Sequence, residues 1–354
     1  MKKSRSNLCR NSSFLTPNSF YPSSSPLCIE RTSMNILSLL ISALGQGMIY
    51  APMALGVFIA FRVLNTPDLT IDGSFVAGMC ACAVVTIAGH PYLALLCGLL
   101  VGALAGLVTG LLQTKLRINP ILSGILTMTG LYTINFMALG GQSNLYLQRT
   151  VVNAAGAETQ VASDTLYKAF RSLMVSLTGN RRFDNNLSIL IVTGLIVAAV
   201  AAILAVFFFT RTGMAIRATG DNEEMVRSSS IDADRSRIQG IMLSNALVGL
   251  SGALLCEQQR YADLNFGSGM LVVGLASVII GQVFFGLRGV TIGIVSAVAG
   301  SLVYRVILQF AYKVEMPSYA VKLLSAVIVV IALTIPRIKR LVDERRAERE
   351  EADS

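Results

Sequence analysis

The sequence predicts an all-α, polytopic integral membrane protein with about eight to nine transmembrane helices. Of its 354 residues, 53% are hydrophobic and only 14% are charged, whereas soluble globular domains carry about 25% charged residues. The charges are also clustered, which leaves several stretches of the ~20 apolar residues that an α-helix needs to cross a bilayer. These stretches exclude a single soluble core.

Eight apolar stretches follow one another along the chain, and a ninth comes after them. The predicted spans cover residues 36–61, 73–89, 92–112, 119–139, 187–209, 238–256, 268–286 and 289–312, and the ninth run covers 318–335. Two polar segments, 140–186 and 211–237, are long enough to stand out among the connections. Residues 34–336 are therefore predicted to form one transmembrane domain, which a charged tail at 337–354 follows.

The basic residues of the connections predict which side each connection faces, because Lys and Arg concentrate in short cytoplasmic loops. Lys115 and Arg117 place one turn in the cytoplasm, and the basic residues of 211–237 and 337–354 place those segments there too. Four crossings separate the loop from the tail, so the two assignments agree. Segment 140–186 is then predicted to be an external loop.

The first 33 residues are polar, are rich in Ser, Asn and Pro, and lack the apolar core of a signal peptide. They are predicted to be a disordered leader. Counting the spans backwards puts this basic leader outside, against the charge rule. A translation start at Met34 would remove the conflict, and so would a first helix broken near Pro52; the start at Met34 is the preferred explanation.

The third span carries four glycines at a strict four-residue spacing. Such a spacing puts them on one face of a helix and lets a neighbouring backbone approach closely. Ordinary helix packing explains this face better than a contact beside a transport pathway, although both are open. The residues are Gly98, Gly102, Gly106 and Gly110.

A polar stretch between the first two spans holds two carboxylates, Asp68 and Asp72, with Thr70, Gly73 and Ser74 beside them. On a helix, two carboxylates four residues apart lie on one face and could form a polar site. The stretch is equally typical of a capped helix start, in which Asp or Ser accepts free backbone N–H groups. At the level of the residues both interpretations stay open.

The polar loop between the fifth and sixth spans predicts a helix–turn–helix. Asn222 or Asp221 can cap a short helix that ends near Arg227. Glu223 and Glu224 then fall in the first turn of that helix, where the helix dipole favours negative charge. A short amphipathic helix held under a membrane domain is a natural docking surface for a soluble partner.

A few charged residues lie in or beside the later spans. Glu257, Arg260 and Asp263 are predicted at the outer end of the sixth span, where pairing among themselves is slightly favoured over a contact with a binding protein. Arg305 lies within the eighth span, where an ionisable side chain indicates a pathway or a partner. Its long side chain could equally extend to the membrane surface.

The chain lacks the residues that several other functions need. It has no G-x-x-x-x-G-K-[ST] loop to hold nucleotide phosphates, and its single histidine and scattered cysteines offer no metal-ligand cluster. It has no Trp, and its net charge of +9 is spread over loops and tails, which argues against nucleic-acid binding. The chain is predicted to bind no cofactor or metal and to catalyse no reaction.

Two motifs resemble those of a known transporter family. The stretch D-L-T-I-D-G-S at 68–74 is similar to the D-L-S-V-G-S signature of the branched-chain amino acid and ribose type of ABC importer permease. It is closer still to the P-D-L-T-V-D-G-S-F form of a subgroup associated with aromatic amino acid uptake. The resemblance covers residues 35–337, nearly all of the chain except its two tails.

The loop 211–237 resembles the coupling loop of the same family, which has the form R-x-G-x-x-x-R-A followed by G-I-x-x-x-R. Ser230 stands in place of the usual glycine, and the remaining motif positions are in register. The predicted coupling residues are Arg211, Gly213, Arg217, Ala218, Gly220, Asn222, Ile231 and Arg235.

The resemblance implies a permease subunit of an ATP-driven importer in the bacterial inner membrane. It implies a solute pathway between two permease subunits, expected to be a homodimer, with Asp68, Thr70, Asp72, Gly73 and Ser74 near that pathway. ATPase subunits would bind ATP and dock on the coupling loop. A solute-binding protein would deliver an amino acid or similar small solute from outside, and lipid would surround the spans.

A secondary transporter or channel driven by an ion gradient is the alternative. That class would need a carboxylate at the membrane midplane or discontinuous helices in both halves of the chain. An intramembrane enzyme would need a paired nucleophile and base, or metal ligands, within the spans. The single histidine of the chain argues against an enzyme.

Overall fold

The structure, a computed structural model, describes residues 36–152, 158–162, 165–168, 170, 181–229, 231–286 and 289–313, with five isolated positions between 323 and 334. The predicted leader, the predicted start at Met34 and the charged tail lie outside the described residues. The ninth apolar run lies outside them too, apart from those isolated positions.

Ten α-helices and four short strands make up the described part of the chain. The helices are α1 Ile36–Phe58, α2 Thr70–Ile87, α3 Pro91–Thr114, α4 Pro120–Ala138, α5 Arg181–Phe209, α6 Arg211–Asp221, α7 Glu223–Ser228, α8 Ala233–Gln259, α9 Met270–Phe285 and α10 Val290–Lys313. The strands are β1 Asn144–Tyr146, β2 Gln148–Val152, β3 Glu158–Ala162 and β4 Tyr261–Asp263. A π-helical turn, Ile59–Val63, extends α1, and a 3₁₀ turn, Leu264–Gly267, precedes α9.

Eight helical segments of the described residues are long and apolar enough to cross a membrane, which confirms the eight predicted spans. α8 begins at Ala233, before the predicted start at 238, because its first turns are polar and extend beyond the apolar part of the helix. α1 remains helical across Pro52, so the first helix is not broken at that proline.

α8 lies among α1, α2 and α3. Thr86 near the end of α2 donates a hydrogen bond to Glu257 near the end of α8, so these two helices run parallel. Hydrogen bonds from α8 to backbone carbonyls of α1 fall in the opposite order along the chain, and α1 is therefore antiparallel to α8. The stretch from Ser244 to Glu257 is buried throughout.

α3 packs on α8 through the glycine face. A methyl group at Gly106 would lie 2.6 Å from the carbonyl oxygen of Ile241, and one at Gly98 would lie 2.6 Å from Cβ of Ala253. Only glycine allows the two backbones to come this close. All four glycines face α8: Gly98, Gly102, Gly106 and Gly110.

The two ends of α8 carry different structures. α6 and α7 precede the helix, and β4 follows it. Because a helix rises about 1.5 Å per residue, 27 residues separate these ends by about 40 Å, more than the ~30 Å of the hydrocarbon core. The helical hairpin of 211–237 and the chain after α8 therefore lie at opposite ends of the bundle.

Short strands occupy part of the predicted external loop, which the sequence did not indicate. β1 pairs antiparallel with β4, with Tyr146 opposite Tyr261, and β2 pairs antiparallel with β3. The β1–β4 pair joins the loop after α4 to the chain after α8. This pairing fixes the end of the bundle at which the loop lies.

Candidate functional site

A buried polar network surrounds Asp68, just before α2. Asp68 is 0% exposed, and one of its carboxylate oxygens accepts the backbone N–H of Thr70 at 2.9 Å. The other accepts a hydrogen bond from the Asn245 amide of α8 at 2.6 Å. Ser74 donates to the oxygen of the same Asn245 side chain at 2.7 Å. Asp68 thus accepts the first N–H of α2 and bridges this helix to α8.

The network extends to α3 through a hydroxyl pair. Thr70 and Thr109 oxygens lie 2.8 Å apart, and both side chains are buried. Burial raises the pKa of the Asp68 carboxyl, while hydrogen bonds from Thr70 and Asn245 oppose that shift. A buried carboxylate is tolerated when its lone pairs are satisfied, and here both oxygens have donors.

Asp72 bonds to a different helix from Asp68. Its half-buried carboxylate accepts the backbone N–H of Leu271 at 2.7 Å and that of Gly269 at 3.2 Å, at the start of α9. Gly73 lies against α4, since a methyl group there would be 3.2 Å from Cα of Met128. The two carboxylates therefore do not form one paired site.

The predicted signature residues thus sit where α2 meets α3, α4, α8 and α9. Their proximity to a solute pathway stays a prediction, since Asp68, Thr70 and Ser74 are fully buried among helices and only Asp72 is partly accessible. Sequence reasoning missed Asn245, the central member of the network. A lone Asn in an apolar span was the available signal, because polar side chains in spans usually bond to a neighbouring helix.

The span that contains α9 is only partly α-helical. α9 has 16 residues, a length of about 24 Å, less than the ~30 Å of the hydrocarbon core. The chain before it forms the 3₁₀ turn and an irregular link, in which Asn265 and Ser268 are exposed. Non-helical backbone at membrane depth occurs only where protein buries it or where it lines a water-filled cavity.

An aromatic cluster adjoins this non-helical segment. Tyr146 and Tyr261 have ring centroids 5.8 Å apart, and Phe266 lies edge-on to Tyr261 at 6.0 Å. Tyr50 of α1 stacks on Phe75 of α2 at 6.1 Å. Tyr146, Tyr261 and Phe266 form the outer aromatic cluster, named for its position at the β1–β4 end of the bundle.

Two cations lie at opposite ends of the bundle. The guanidinium carbon of Arg305 in α10 lies 3.4 Å from the Tyr50 ring centroid. At the other end, Arg62 donates to Gln282 at 3.0 Å. Arg62, Arg217 and Gln282 line an open cavity of 280 Å³.

The expected mutual pairing of Glu257, Arg260 and Asp263 is wrong among the described residues. The buried Glu257 instead accepts a hydrogen bond from the backbone N–H of Leu166 at 2.8 Å, as well as the bond from Thr86. Arg260 ends α8 in the left-handed conformation, with φ of 64°. Asp263 accepts the N–H of Asn265 at 2.8 Å. Backbone groups satisfy both carboxylates in place of the cation.

α6 and α7 form a helical hairpin at the inner end, defined as the end that holds the 211–237 segment. Asn222 caps α7 by accepting the N–H of Met225 at 3.0 Å, which confirms the expected short helix with Glu223 and Glu224 in its first turn. Gly220 presses on the end of α1, because a methyl group there would clash with the carbonyl oxygen of Val63. No side chain separates these two backbones.

Ion pairs attach α7 to the start of α8. Arg227 contacts Glu223 at 2.8 Å and Asp234 at 2.6 Å, and Arg237 contacts Glu223 at 2.6 Å. These groups are partly exposed, so water screens each pair and its contribution to stability is small. Together they set the orientation of α7.

Each helix of this hairpin exposes one methionine and buries one apolar side chain. Met214 is 51% exposed and Met225 is 57% exposed, whereas Ile216 and Val226 are buried. Exposed apolar groups on a fixed element are typical of an interaction surface. Of the predicted coupling residues, Arg211, Asn222, Ile231 and Arg235 are exposed, Gly213 is buried, and Arg217, Ala218 and Gly220 are half-buried.

Within the described residues no group of three or more His, Cys, Asp or Glu side chains could hold a metal ion. The eight apolar helices of the described residues, with the charged helical hairpin at one end, define a multi-pass membrane protein. A family model described as branched-chain amino acid transport system / permease component matches residues 39–333. The chain belongs to that family.

Two relatives extend the comparison. A tyrosine transport system permease protein of Clostridioides difficile is 33% identical over 298 residues, covering 84% of this chain and 91% of the relative. An uncharacterized protein of Rickettsia prowazekii is 29% identical over 249 residues, covering 70% of this chain and 79% of the relative. No solved structure matches the chain.

Membership of the family fixes the coarse function. The chain is the permease component of a transport system, a multi-pass protein of the bacterial inner membrane. Permease components are not themselves enzymes, and the ATPase of such a system is a separate subunit. These matches confirm the resemblance to the branched-chain amino acid permease family that the 68–74 motif indicated.

Proposed function

We propose that this chain forms the solute pathway of an ATP-driven importer for an aromatic amino acid, and that a separate ATPase docks on the α6–α7 hairpin. The permease of Clostridioides difficile, described as a tyrosine transport permease, supports the class of solute. The exposed methionines of the hairpin carry the docking proposal.

The attachments of the hairpin support a role in coupling. Gly220 of α6 touches the backbone of Val63, and Arg227 and Glu223 of α7 link to Asp234 and Arg237 of α8. α1 and α8 both cross the membrane and contact one another. A displacement of the hairpin by the ATPase would therefore be passed to two spans at once.

The complete importer would contain two copies of this chain, two ATPase subunits and an external solute-binding protein. ATP would bind only to the ATPase, because this chain lacks a phosphate-binding loop. The permease would alternate between outward and inward access without forming a covalent bond to the solute. No nucleic acid takes part.

The second candidate, transport driven by an ion gradient, has one observation in its favour. The carboxylate of Asp72 in α2 accepts a hydrogen bond at the start of α9, in the partly non-helical span, and discontinuous helices at the solute and ion sites are typical of secondary transporters. Reconstituted vesicles distinguish the two. Accumulation of tyrosine by vesicles that hold only this chain, driven by a proton or sodium gradient, would overturn the ATP-driven proposal.

A charge at Met225 tests the docking surface directly. With a candidate ATPase subunit co-expressed that co-purifies with the wild-type chain, Met225→Glu should lose co-purification of the ATPase, because docking would bury an unpaired carboxylate at a cost of several kcal/mol. Met225→Leu is the matched control, since it keeps an apolar side chain of similar volume. Retention of the ATPase and of ATP-driven uptake by Met225→Glu would contradict the proposal.

A further inference from the structure

The open cavity of 280 Å³ at the inner end of the bundle lies where four elements meet. Its walls come from the end of α1 with its π-helical extension, from α6, from the last turn of α9 and from the start of α10. α9 and α10 belong to two successive spans, and the cavity lies where one ends and the next begins. It therefore sits at the membrane surface rather than deep in the hydrocarbon, and we call it the inner pocket.

Two arginines line the inner pocket, Arg62 after α1 and Arg217 in α6. Arg62 donates one hydrogen bond from its Nε to Gln282 at 3.0 Å. Among the described residues neither arginine forms an ion pair. Two like charges on one cavity repel each other, so an anion bound between them is favoured. The planar fork of a guanidinium fits the oxygens of a phosphate group.

α9 and α10 bring further hydrogen-bond donors to the inner pocket. The Nε2 of Gln282 is buried and has no hydrogen-bond partner among the described residues, although buried polar atoms nearly always have one. α10 begins at Val290, which also lines the pocket. The free N–H groups of a first helical turn and the positive end of the helix dipole favour an anion. Groups of all four elements thus favour negative charge in the same cavity.

Asp221 is the one acidic side chain among the described residues that line the inner pocket. It is exposed and forms no ion pair with Arg217, four residues before it in α6. A pair with the basic residue first is the weaker orientation on a helix. Two arginines against one aspartate leave a net charge of +1. The pocket therefore remains basic, and Asp221 lowers its affinity for an anion.

Exposed apolar side chains lie in the same turns of α9 and α10 that line the inner pocket. Phe284 is 70% exposed, Phe285 is 48% exposed and Ile292 is 38% exposed. At the end of a span, such side chains face the hydrocarbon of the bilayer. A basic pocket beside a lipid-facing apolar surface fits a ligand with an anionic head and apolar tails. Basic pockets between spans on the cytoplasmic side bind the head groups of anionic lipids.

We propose that the inner pocket binds the phosphate of an anionic phospholipid from the cytoplasmic leaflet. Arg62 and Arg217 pair with the phosphate oxygens, and the acyl chains pack on Phe284 and Phe285. A lipid held there ties α6 of the helical hairpin to α1, α9 and α10. The inference goes beyond the proposed function and does not depend on it, because it concerns a lipid and not the solute or the ATPase.

Native mass spectrometry of the purified full chain in detergent tests the site without ATPase or solute. Phosphatidylglycerol and phosphatidylcholine with the same acyl chains are added in separate titrations. Both carry a phosphate, but the choline cation is repelled by the basic pocket. One phosphatidylglycerol should be retained at a concentration about tenfold lower than phosphatidylcholine, which corresponds to about 1.4 kcal/mol. Equal retention of the two lipids overturns the proposal.

Competition distinguishes a lipid from other sources of the same charge. Inorganic phosphate or L-tyrosine at millimolar concentration should leave the retained phosphatidylglycerol in place, because neither has acyl chains to pack on the apolar surface. Displacement by inorganic phosphate would assign the inner pocket to a free anion. Displacement by L-tyrosine would assign it to the solute. Either displacement overturns the proposal.

Variants of opposite effect assign the lipid to the named residues. Arg62→Gln and Arg217→Gln should each weaken retention of phosphatidylglycerol by about tenfold, the scale of a lost charge-assisted hydrogen bond. Asp221→Asn removes the opposing charge and should strengthen retention by about threefold, the scale of one exposed charge interaction. Arg211→Gln is the matched control, because Arg211 is an exposed cation of α6 that does not line the pocket.

The sign of the Asp221 effect separates lipid binding from a merely structural role. Loss of a structural contact would not tighten binding, whereas removal of a repulsive charge would. Size-exclusion profiles identical to the wild type show that each variant folds. Wild-type retention by folded Arg62→Gln and Arg217→Gln, or a folded Asp221→Asn variant that does not bind more tightly, overturns the proposal.

Discussion

Replacing Gly106 by Ala should loosen the contact between α3 and α8, because the structure leaves no room there for a methyl group. A Cβ at this position would lie 2.6 Å from the carbonyl oxygen of Ile241 and 2.9 Å from Cβ of Asn245. Ordinary contacts begin near 3.4 Å, so the helices would have to separate by about 0.8 Å. No rotamer change relieves a clash with backbone.

The expected loss of stability follows from two opposing effects. Overpacking a close-packed site costs about 1–3 kcal/mol, while Ala in place of Gly favours an exposed helix by about 1 kcal/mol. Moving α8 also strains the 2.6 Å hydrogen bond between Asn245 and Asp68, which is buried and charge-assisted. The first two effects leave a loss of about 0–2 kcal/mol. The strained hydrogen bond puts the expected loss at the upper end, about 2 kcal/mol, which corresponds to a melting midpoint lower by about 5 °C.

The assay is size-exclusion chromatography of the detergent-solubilised protein after heating to a series of temperatures. Gly130→Ala is the matched control, because Gly130 lies in α4 and a methyl group there would meet nothing within 4 Å. This control should melt with the wild type or slightly above it. Equal midpoints for Gly106→Ala and Gly130→Ala would refute the argument from close packing.

Two further substitutions test the polar network and the coupling contact. Asn245→Asp would set a second carboxylate 2.6 Å from Asp68 and lower the free energy of unfolding by about 3 kcal/mol. Adding Asp68→Asn should restore most of the melting midpoint, because the swapped pair can keep the hydrogen bonds from Ser74 and Thr70. A double variant as unstable as the single one would contradict the assigned geometry. Gly220→Ala should push α6 off Val63 and reduce ATP-driven uptake into vesicles by about tenfold, as a loss of about 1.4 kcal/mol of coupling would. Gly194→Ala, which meets nothing within 4 Å, should transport normally, and unchanged uptake by Gly220→Ala would remove this contact from the coupling route.

The parts of the fold that depend on local pattern were predictable. Apolar length and clustered charge identify the eight spans, because the bilayer sets how many apolar residues a helix needs. The cap of α7 was also readable, since Asn222 followed by Glu223 and Glu224 satisfies a helix start within a few residues. Each of these features is determined by neighbours in sequence.

The parts that depend on distant partners were not predictable. Asp68 and Asp72 look like a pair in sequence, yet one bonds to Asn245 of α8 and the other to the backbone of Leu271. A carboxylate accepts from any donor, so its residue type does not identify its partner. The partner of Glu257 was equally unpredictable, because its carboxylate accepts a hydrogen bond from the backbone N–H of Leu166 and not from the expected arginine.

The two attachments of the helical hairpin differ in strength, and the difference indicates which one would pass force from a docked ATPase. The Arg227 and Glu223 side chains are 53% and 30% exposed, so water screens their pairing and the link is weak. Gly220 contacts Val63 backbone to backbone. Close-packed backbone is nearly incompressible, so a displacement of one segment moves the other. Val63 is only five residues from Asp68, which holds the middle of α8 through Asn245. Under the proposed coupling, motion of α6 therefore reaches α2 and α8 through the segment 63–68, while the ion pairs of α7 set its orientation toward the partner.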